Sequence, residues 1–417
     1  MLPVGPLIVL MLPWFLLSAV AVAETPVADK PAPRRAPLNM NGDDTPDIDT
    51  KSTADSTADK GLQFSGDLRL IYDYFDQEGR DGDSKTEDSF GGRLRVRTDI
   101  GITDELVFGG GLAGICFVGG CDPKVILPGA SNGVESETLN LDELFLHWSP
   151  LERGSIVLGR LQTRFVLRGG VYAKSLDRND SNNVNITWTD GVQANYRLGR
   201  GWDSNFILQR NSNDGTGDAR RKPLNFDGSG ADYSYFAGVE NTKPWGHVVQ
   251  RAFDVSYLPS ALLTGGETSG RREDYWGIVG RVAFRWPQRS GGRRLRAGAE
   301  IGYAPNSPTR EVARLDSEVS GLAWQAVLSL MDFRPGHSVG INYARTGAGW
   351  LLSPQFRPNE ELFEIRYQWR PTWRVRFFKR PPLFEPRFRW RKELEQLNGS
   401  AQKRKVFDMY VRLTWEF

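Results

Sequence analysis

From Val406 to Phe417 the chain alternates strictly. Phe407, Met409, Val411, Leu413, Trp415 and Phe417 form one file, and Asp408, Tyr410, Arg412, Thr414 and Glu416 form the other. A period of two is the signature of a strand with one apolar and one polar face. The same pattern recurs from Gly61 onward. Leu62, Phe64, Leu68, Leu70, Tyr72 and Tyr74 oppose Gln63, Ser65, Asp67, Arg69 and Asp73, while Phe90, Leu94, Val96 and Ile100 oppose Arg93, Arg95, Arg97 and Asp99. Further strands are predicted near 104–117, 137–149, 154–165, 184–198, 201–211, 231–241, 247–258, 274–286, 293–304, 319–332, 337–346, 359–370, 373–391 and 405–417. The count is about sixteen, an even number.

Two stretches break phase. Leu139 and Leu141 lie on one parity and Leu144, Leu146 and Trp148 on the other, which predicts a bulge at Asp142-Glu143. In 373–391, Pro381-Pro382 switches the apolar set from Trp373, Val375 and Phe377 to Phe384, Phe388 and Trp390. Proline cannot donate to a ladder, so this part is expected to bend or rise above the membrane.

The connections alternate as well. Ile102-Thr103, Pro150 to Arg153, Gly199-Arg200, Thr242 to Gly246, Pro287 to Gly292, Arg334 to Gly336 and Pro371-Thr372 are short. Gln77 to Asp88, Gly119 to Ser136, Val166 to Asn183, Asn213 to Ser229 and Pro259 to Glu273 are long and polar. The expected fold is all-β, a closed antiparallel transmembrane β-barrel with tight periplasmic turns, long extracellular loops and both ends of the barrel in the periplasm. Closure follows from the solvent: lipid cannot hydrogen-bond to backbone, so no strand edge can be left free. Trp148, Trp188, Trp202, Trp286, Trp369, Trp373 and Trp415 fall near predicted strand ends, where interfacial girdles sit.

Composition adds boundaries. Hydrophobic residues make up 39% of the 417 residues, and beyond the first residues nothing offers the roughly twenty consecutive apolar positions of a membrane helix. Residues 1–23 read as a signal peptide, with an apolar run from Leu7 to Val22 and Ala21-Val22-Ala23 as the cleavage site, although no Lys or Arg precedes it. Residues 24–60, with the near repeat Ser52 to Asp59, read as a disordered periplasmic leader. The barrel is assigned to 61–417. Cys116 and Cys121 flank Phe117-Val118-Gly119-Gly120, a disulfide candidate in an oxidising compartment. His147, His247 and His337 are scattered, so neither a metal nor another cofactor is expected, and none neighbours a convincing nucleophile for a hydrolase. A net charge of +2 gives no reason to expect a nucleic-acid partner.

With the apolar file facing lipid, the other file must face the lumen. It carries Arg69, Arg93, Arg95, Arg97, Arg160, Arg164, Arg197, Arg281, Arg285, Arg294, Arg296, Arg366, Arg370, Arg374, Arg376 and Arg412, against the fewer inward acids Asp67, Asp73, Asp99, Asp254, Glu300, Glu364, Asp408 and Glu416. Guanidinium groups stay charged and match carboxylates and phosphates, so such a wall would concentrate anions.

The alternating strand ending in Phe417 resembles the closing strand of Gram-negative outer-membrane porins, in which that segment is also the signal read by the barrel-assembly machinery. Gly159-Arg160-Leu161-Gln162 resembles the stretch before the porin constriction loop, with Leu161 intervening. By that resemblance Val166 to Lys174 is an inward-folded third loop, carrying Arg168, with Glu143, Asp177 and Asp180 facing it. The implied function is passive diffusion of small hydrophilic, anionic solutes through an outer membrane. Porins commonly form homotrimers, for which Gly110, Gly114, Ala297 and Ala299 offer small outward residues. An alternative is an alginate-export-type channel for an anionic polysaccharide, which Asp67 to Tyr74 also resembles.

Overall fold

The computed structural model describes residues 61–117, 124–126, 138–161, 163, 165–171, 173–174, 189–211, 223–226, 230–265, 271–286, 293–353, 357–371, 373, 378 and 380–417. The strands are β1 (Leu62–Glu78), β2 (Ser84–Gly101), β3 (Leu106–Phe117), β4 (Lys124–Ile126), β5 (Thr138–Leu151), β6 (Gly154–Leu161), β7 (Leu167–Arg168), β8 (Ala173–Lys174), β9 (Thr189–Gly199) and β10 (Trp202–Arg210). They continue with β11 (Tyr233–Asn241), β12 (Val248–Leu263), β13 (Arg272–Arg285), β14 (Arg294–Tyr303), β15 (Leu322–Arg334), β16 (His337–Thr346), β17 (Glu360–Trp369), β18 (Leu383–Glu393) and β19 (Lys405–Glu416), with one short helix, α1 (Arg310–Ala313), before β15. No helix among the described residues is long and apolar enough to cross a membrane.

Sixteen of these strands form a closed antiparallel barrel. Neighbours in sequence pair all the way round, and β19 returns to β1 to shut the ring. β4 adds to β5 in parallel, and β7 and β8 form a separate small ribbon. The closing seam runs from Asp67↔Glu416 to Glu78↔Lys405. It is extended by Gly66 and Phe417, each of whose amides donates to the other's carbonyl at 3.1 Å.

Burial follows the alternation. In β19 Val406, Tyr410, Arg412 and Thr414 are buried, whereas in the outward files Leu62, Phe64, Leu158, Phe253 and Ile301 are exposed. Each such side chain recovers about 1.5–3 kcal/mol when withdrawn from water, so an exterior clad in them is stable only in lipid. Aromatic rings gather in two bands on it. Tyr235, Tyr257 and Trp276 stack across β11–β13, and Phe363, Trp390 and Phe407 meet at tilted angles across β17–β19. Towards the tight turns, Trp286 stacks with His247 and Trp369 with His337. Trp188 lies outside the described residues.

The bulge falls where the parity break demands. The β3–β5 register shifts between Gly111, opposite Glu143, and Leu112, opposite Leu141, so Asp142 is the extra residue and both acids turn inward and are buried. Two expectations need correction. The acidic stretch 77–88 is not a long loop: β1 and β2 pair out to Glu78↔Ser84, held by cross-strand contacts such as Thr86 Oγ1 to Asp76 Oδ1 at 2.9 Å. Nor is 373–391 one strand: among the described residues of that stretch, the barrel strand begins at Leu383, after Pro381-Pro382, because two prolines leave no donors to continue the ladder.

Candidate functional site

The inner wall divides into two halves of different chemistry. On β17, β18, β19, β1, β2 and β5 the inward positions hold a lattice of ion pairs. Glu385 accepts from Tyr410 Oη at 2.5 Å, Arg412 Nη2 at 2.5 Å and Gln368 Nε2 at 2.7 Å, with Arg366 Nη1 3.6 Å away. Asp408 gathers Arg387 at 2.7 Å, Arg389 at 2.9 Å and Arg391 at 3.0 Å. Arg93 pairs with Asp67, Arg95 with Asp142 at 2.7 Å, and Arg97 with Asp99 at 3.0 Å and Glu143 at 3.3 Å. The Arg97 guanidinium also lies 5.0 Å above the Phe145 ring, which fills the space over Gly109. The bulge therefore has a use: it delivers two adjacent carboxylates to two adjacent arginines.

The other half, β10 to β16, is covered by chain that enters the barrel. Gly159, at φ 127, turns β6 in a conformation only glycine adopts freely. The chain then packs Phe165, Leu167 and Val171 against inward-facing residues. Phe165 meets the Phe236 ring at 4.4 Å. Leu167 sits over Gly298, where an added Cβ would come within 2.9 Å of it. Ser329 Oγ donates to the Gly169 carbonyl at 2.6 Å and accepts from Val171 N at 3.3 Å, while Gln250 Nε2 donates to the Val166 carbonyl at 2.7 Å. A second segment, Gly347 to Ser353 between β16 and β17, also folds inward. Trp350 is buried over Gly302, and Tyr275 Oη donates to the Gly349 carbonyl and accepts from Leu351 N, both at 2.8 Å.

Several arginines read as lumenal take different places. Arg281 faces inward but is 1% exposed at its side chain, locked between Asp254 and Glu300. Arg296 is buried on the same half, and Arg285 stands opposite it in register. Arg294 pairs with Asp332, Arg366 with Glu364 at 2.9 Å, and Arg370 with Glu416 at 3.8 Å. Arg168, on the inward segment, reaches Glu240 at 3.5 Å. Arg160, on the end of β6, donates from Nε and Nη2 to Asp190 on β9 at 2.7 and 2.8 Å and from Nη1 to the Leu141 carbonyl at 3.3 Å. Arg164, Arg374, Arg376, Asp177, Asp180 and Cys121 lie outside the described residues. Cys116, on β3, is disulfide-bonded.

Arg387, Arg389 and Arg391, none of which was among the arginines expected to face the lumen, stand beside Arg366 on the neighbouring strand. The signal that locates them was present: once Phe384, Phe388 and Trp390 are outward, the odd positions of β18 must be inward. The acids are likewise more numerous than expected, since Asp142, Glu143, Glu360, Glu385 and Glu393 are all buried with arginine partners. Beyond the strands, the guanidinium of the surface-exposed Arg357 is held below its ordinary pKa by partial desolvation and by the Arg404 guanidinium nearby, a sign of crowded positive charge at the loop end. His147 Nε2 lies 3.3 Å from Ser149 Oγ, a contact the sequence spacing did not suggest.

A closed sixteen-strand barrel with an apolar exterior and a charged interior is the architecture of bacterial outer-membrane channels, and this chain has that fold. Among solved structures, OprB of Pseudomonas putida is similar with a TM-score of 0.55 at 12% identity, over 86% of this chain and 94% of that one. The outer membrane channel DcaP of Acinetobacter baumannii is similar with a TM-score of 0.50 at 13% identity, over 87% of this chain and 99% of that one. No protein-family model and no curated protein sequence matches the chain.

Proposed function

We propose that the barrel is a porin-type channel through which small hydrophilic solutes cross the outer membrane passively, anions in preference to cations. In this reading the tight turns and both ends of the barrel face the periplasm, the long loops face outward, and the third of those loops narrows the passage. The observation that carries it is the seating of Phe165–Val171 inside the barrel on Gly298, Ser329 and Gln250, which leaves solute to pass along the arginine-bearing half of the wall. Opposed guanidinium and carboxylate groups in a narrow passage impose a transverse field that sorts solutes by charge and dipole. The channel fold favours transport over chemistry. The test is planar-bilayer recording across a salt gradient. A reversal potential of anion-selective sign is expected; a cation-selective sign overturns the anion preference, and silence in the bilayer overturns the channel.

A further inference from the structure

Most buried arginines on the charged half of the wall have a carboxylate. Arg69 does not. It is 5% exposed, its Nε donates to Thr414 Oγ1 at 3.3 Å, and it makes no ion pair among the described residues. The register sets it directly opposite Arg93 on β2 and Thr414 on β19, with Arg412 at the adjacent inward position of β19. Asp67, two residues along β1, is taken by Arg93, and Glu385, the nearest acid beyond β19, is taken by Arg412.

Like charges opposite one another across a strand pair are destabilising, and a buried guanidinium without a counter-charge is costly. Arginine cannot relieve this by losing its proton. The fork of Arg69 is therefore a fixed positive charge that shares the field of Asp67 with Arg93 and Arg95 but has no contact carboxylate of its own among the described residues, and an anion from outside the wall would complete it. We propose that Arg69, with Arg93 and Arg412 beside it, forms an anion-binding station for the carboxylate or phosphate group of a passing solute. The proposal rests on the channel reading and narrows it: selectivity is set at one station, while the neutralised arginines around it hold the wall together.

The test uses the full chain, refolded in detergent and inserted in bilayers, with Arg69→Met and Arg69→Lys beside the parent protein. Folding of each is checked by its shift on unheated gels, and inorganic phosphate and acetate serve as probes. In the parent, phosphate should block chloride current saturably and raise the temperature at which the barrel unfolds. Loss of a charge-assisted contact is worth about tenfold in affinity, so Arg69→Met should need about tenfold more phosphate for half-block, with a lower anion-to-cation permeability ratio and no phosphate-dependent stabilisation. Arg69→Lys should retain most of each effect. Acetate acting like phosphate identifies a general anion station, and phosphate acting alone identifies a phosphate-selective one. Equal block, equal reversal potential and equal stabilisation in parent and Arg69→Met overturn the station while leaving the channel standing. A parent protein that passes no current yet is stabilised by phosphate only when Arg69 is present overturns the channel and supports the station.

Discussion

The Phe417 ring lies over Gly66, so closely that a Cβ on Gly66 would stand 2.5 Å from it, while the two residues exchange backbone hydrogen bonds at 3.1 Å. The barrel is shut at this point by a side chain resting where another is missing. Gly66→Ala should therefore strain the seam, and the Arg95 carbonyl 2.2 Å from the same point, by about 1–3 kcal/mol. The temperature at which the folded band converts to the unfolded band on a gel is expected to fall, and an unchanged temperature would show that the seam does not depend on this contact.

Trp350 stands in the same relation to Gly302, where an added Cβ would lie 2.7 Å from the indole. Trp350→Ala removes the anchor of the Gly347 to Ser353 segment. Single-channel conductance should rise, at a stability cost of about 3–5 kcal/mol. If conductance stays at the parent value, that segment lies clear of the passage.

Ser329 ties down the other inward segment through two hydrogen bonds, to the Gly169 carbonyl and from Val171 N. Ser329→Ala should cost about 1–3 kcal/mol by orphaning both backbone groups and should make the current noisier as the segment moves. Proteolysis near Gly169–Gly170 in folded protein gives a second readout; equal cleavage rates would count against the tether.

Glu385 is completely buried and serves Tyr410, Arg412 and Gln368 directly. Glu385→Gln leaves Arg412 short of its counter-charge, while Arg366 keeps Glu364 at 2.9 Å, at a cost of about 3–5 kcal/mol. The variant that folds should be more anion-selective than its parent. A shift of the reversal potential toward cations would contradict the electrostatic account of the wall.

Strand identity, sidedness of side chains and the bulge at Asp142 were legible because all three are written in parity, a property that needs no knowledge of neighbours. The seam was legible for the same reason: Phe407 to Phe417 could only face lipid. Pairing of charges was not. Whether Arg95 is a lumenal cation or one member of a neutral pair depends on Asp142 lying across β3 from it, which is a matter of register between strands far apart in sequence. The inward fold of Gly347 to Ser353 was hidden as well, because its signal is divided between Trp350 and glycines on β13 and β14 that look like ordinary strand positions.

Both inward segments rest on β10 to β16, and the charged lattice occupies the wall opposite. In a channel so built, traffic would be pushed off the cylinder's axis, with greasy cover on one flank and fixed ions on the other. A molecule bearing an acid at one end and a hydrocarbon or sugar body at the other would travel turned sideways, its acid trailing along the ionic flank, so orientation as well as size would decide its rate of passage.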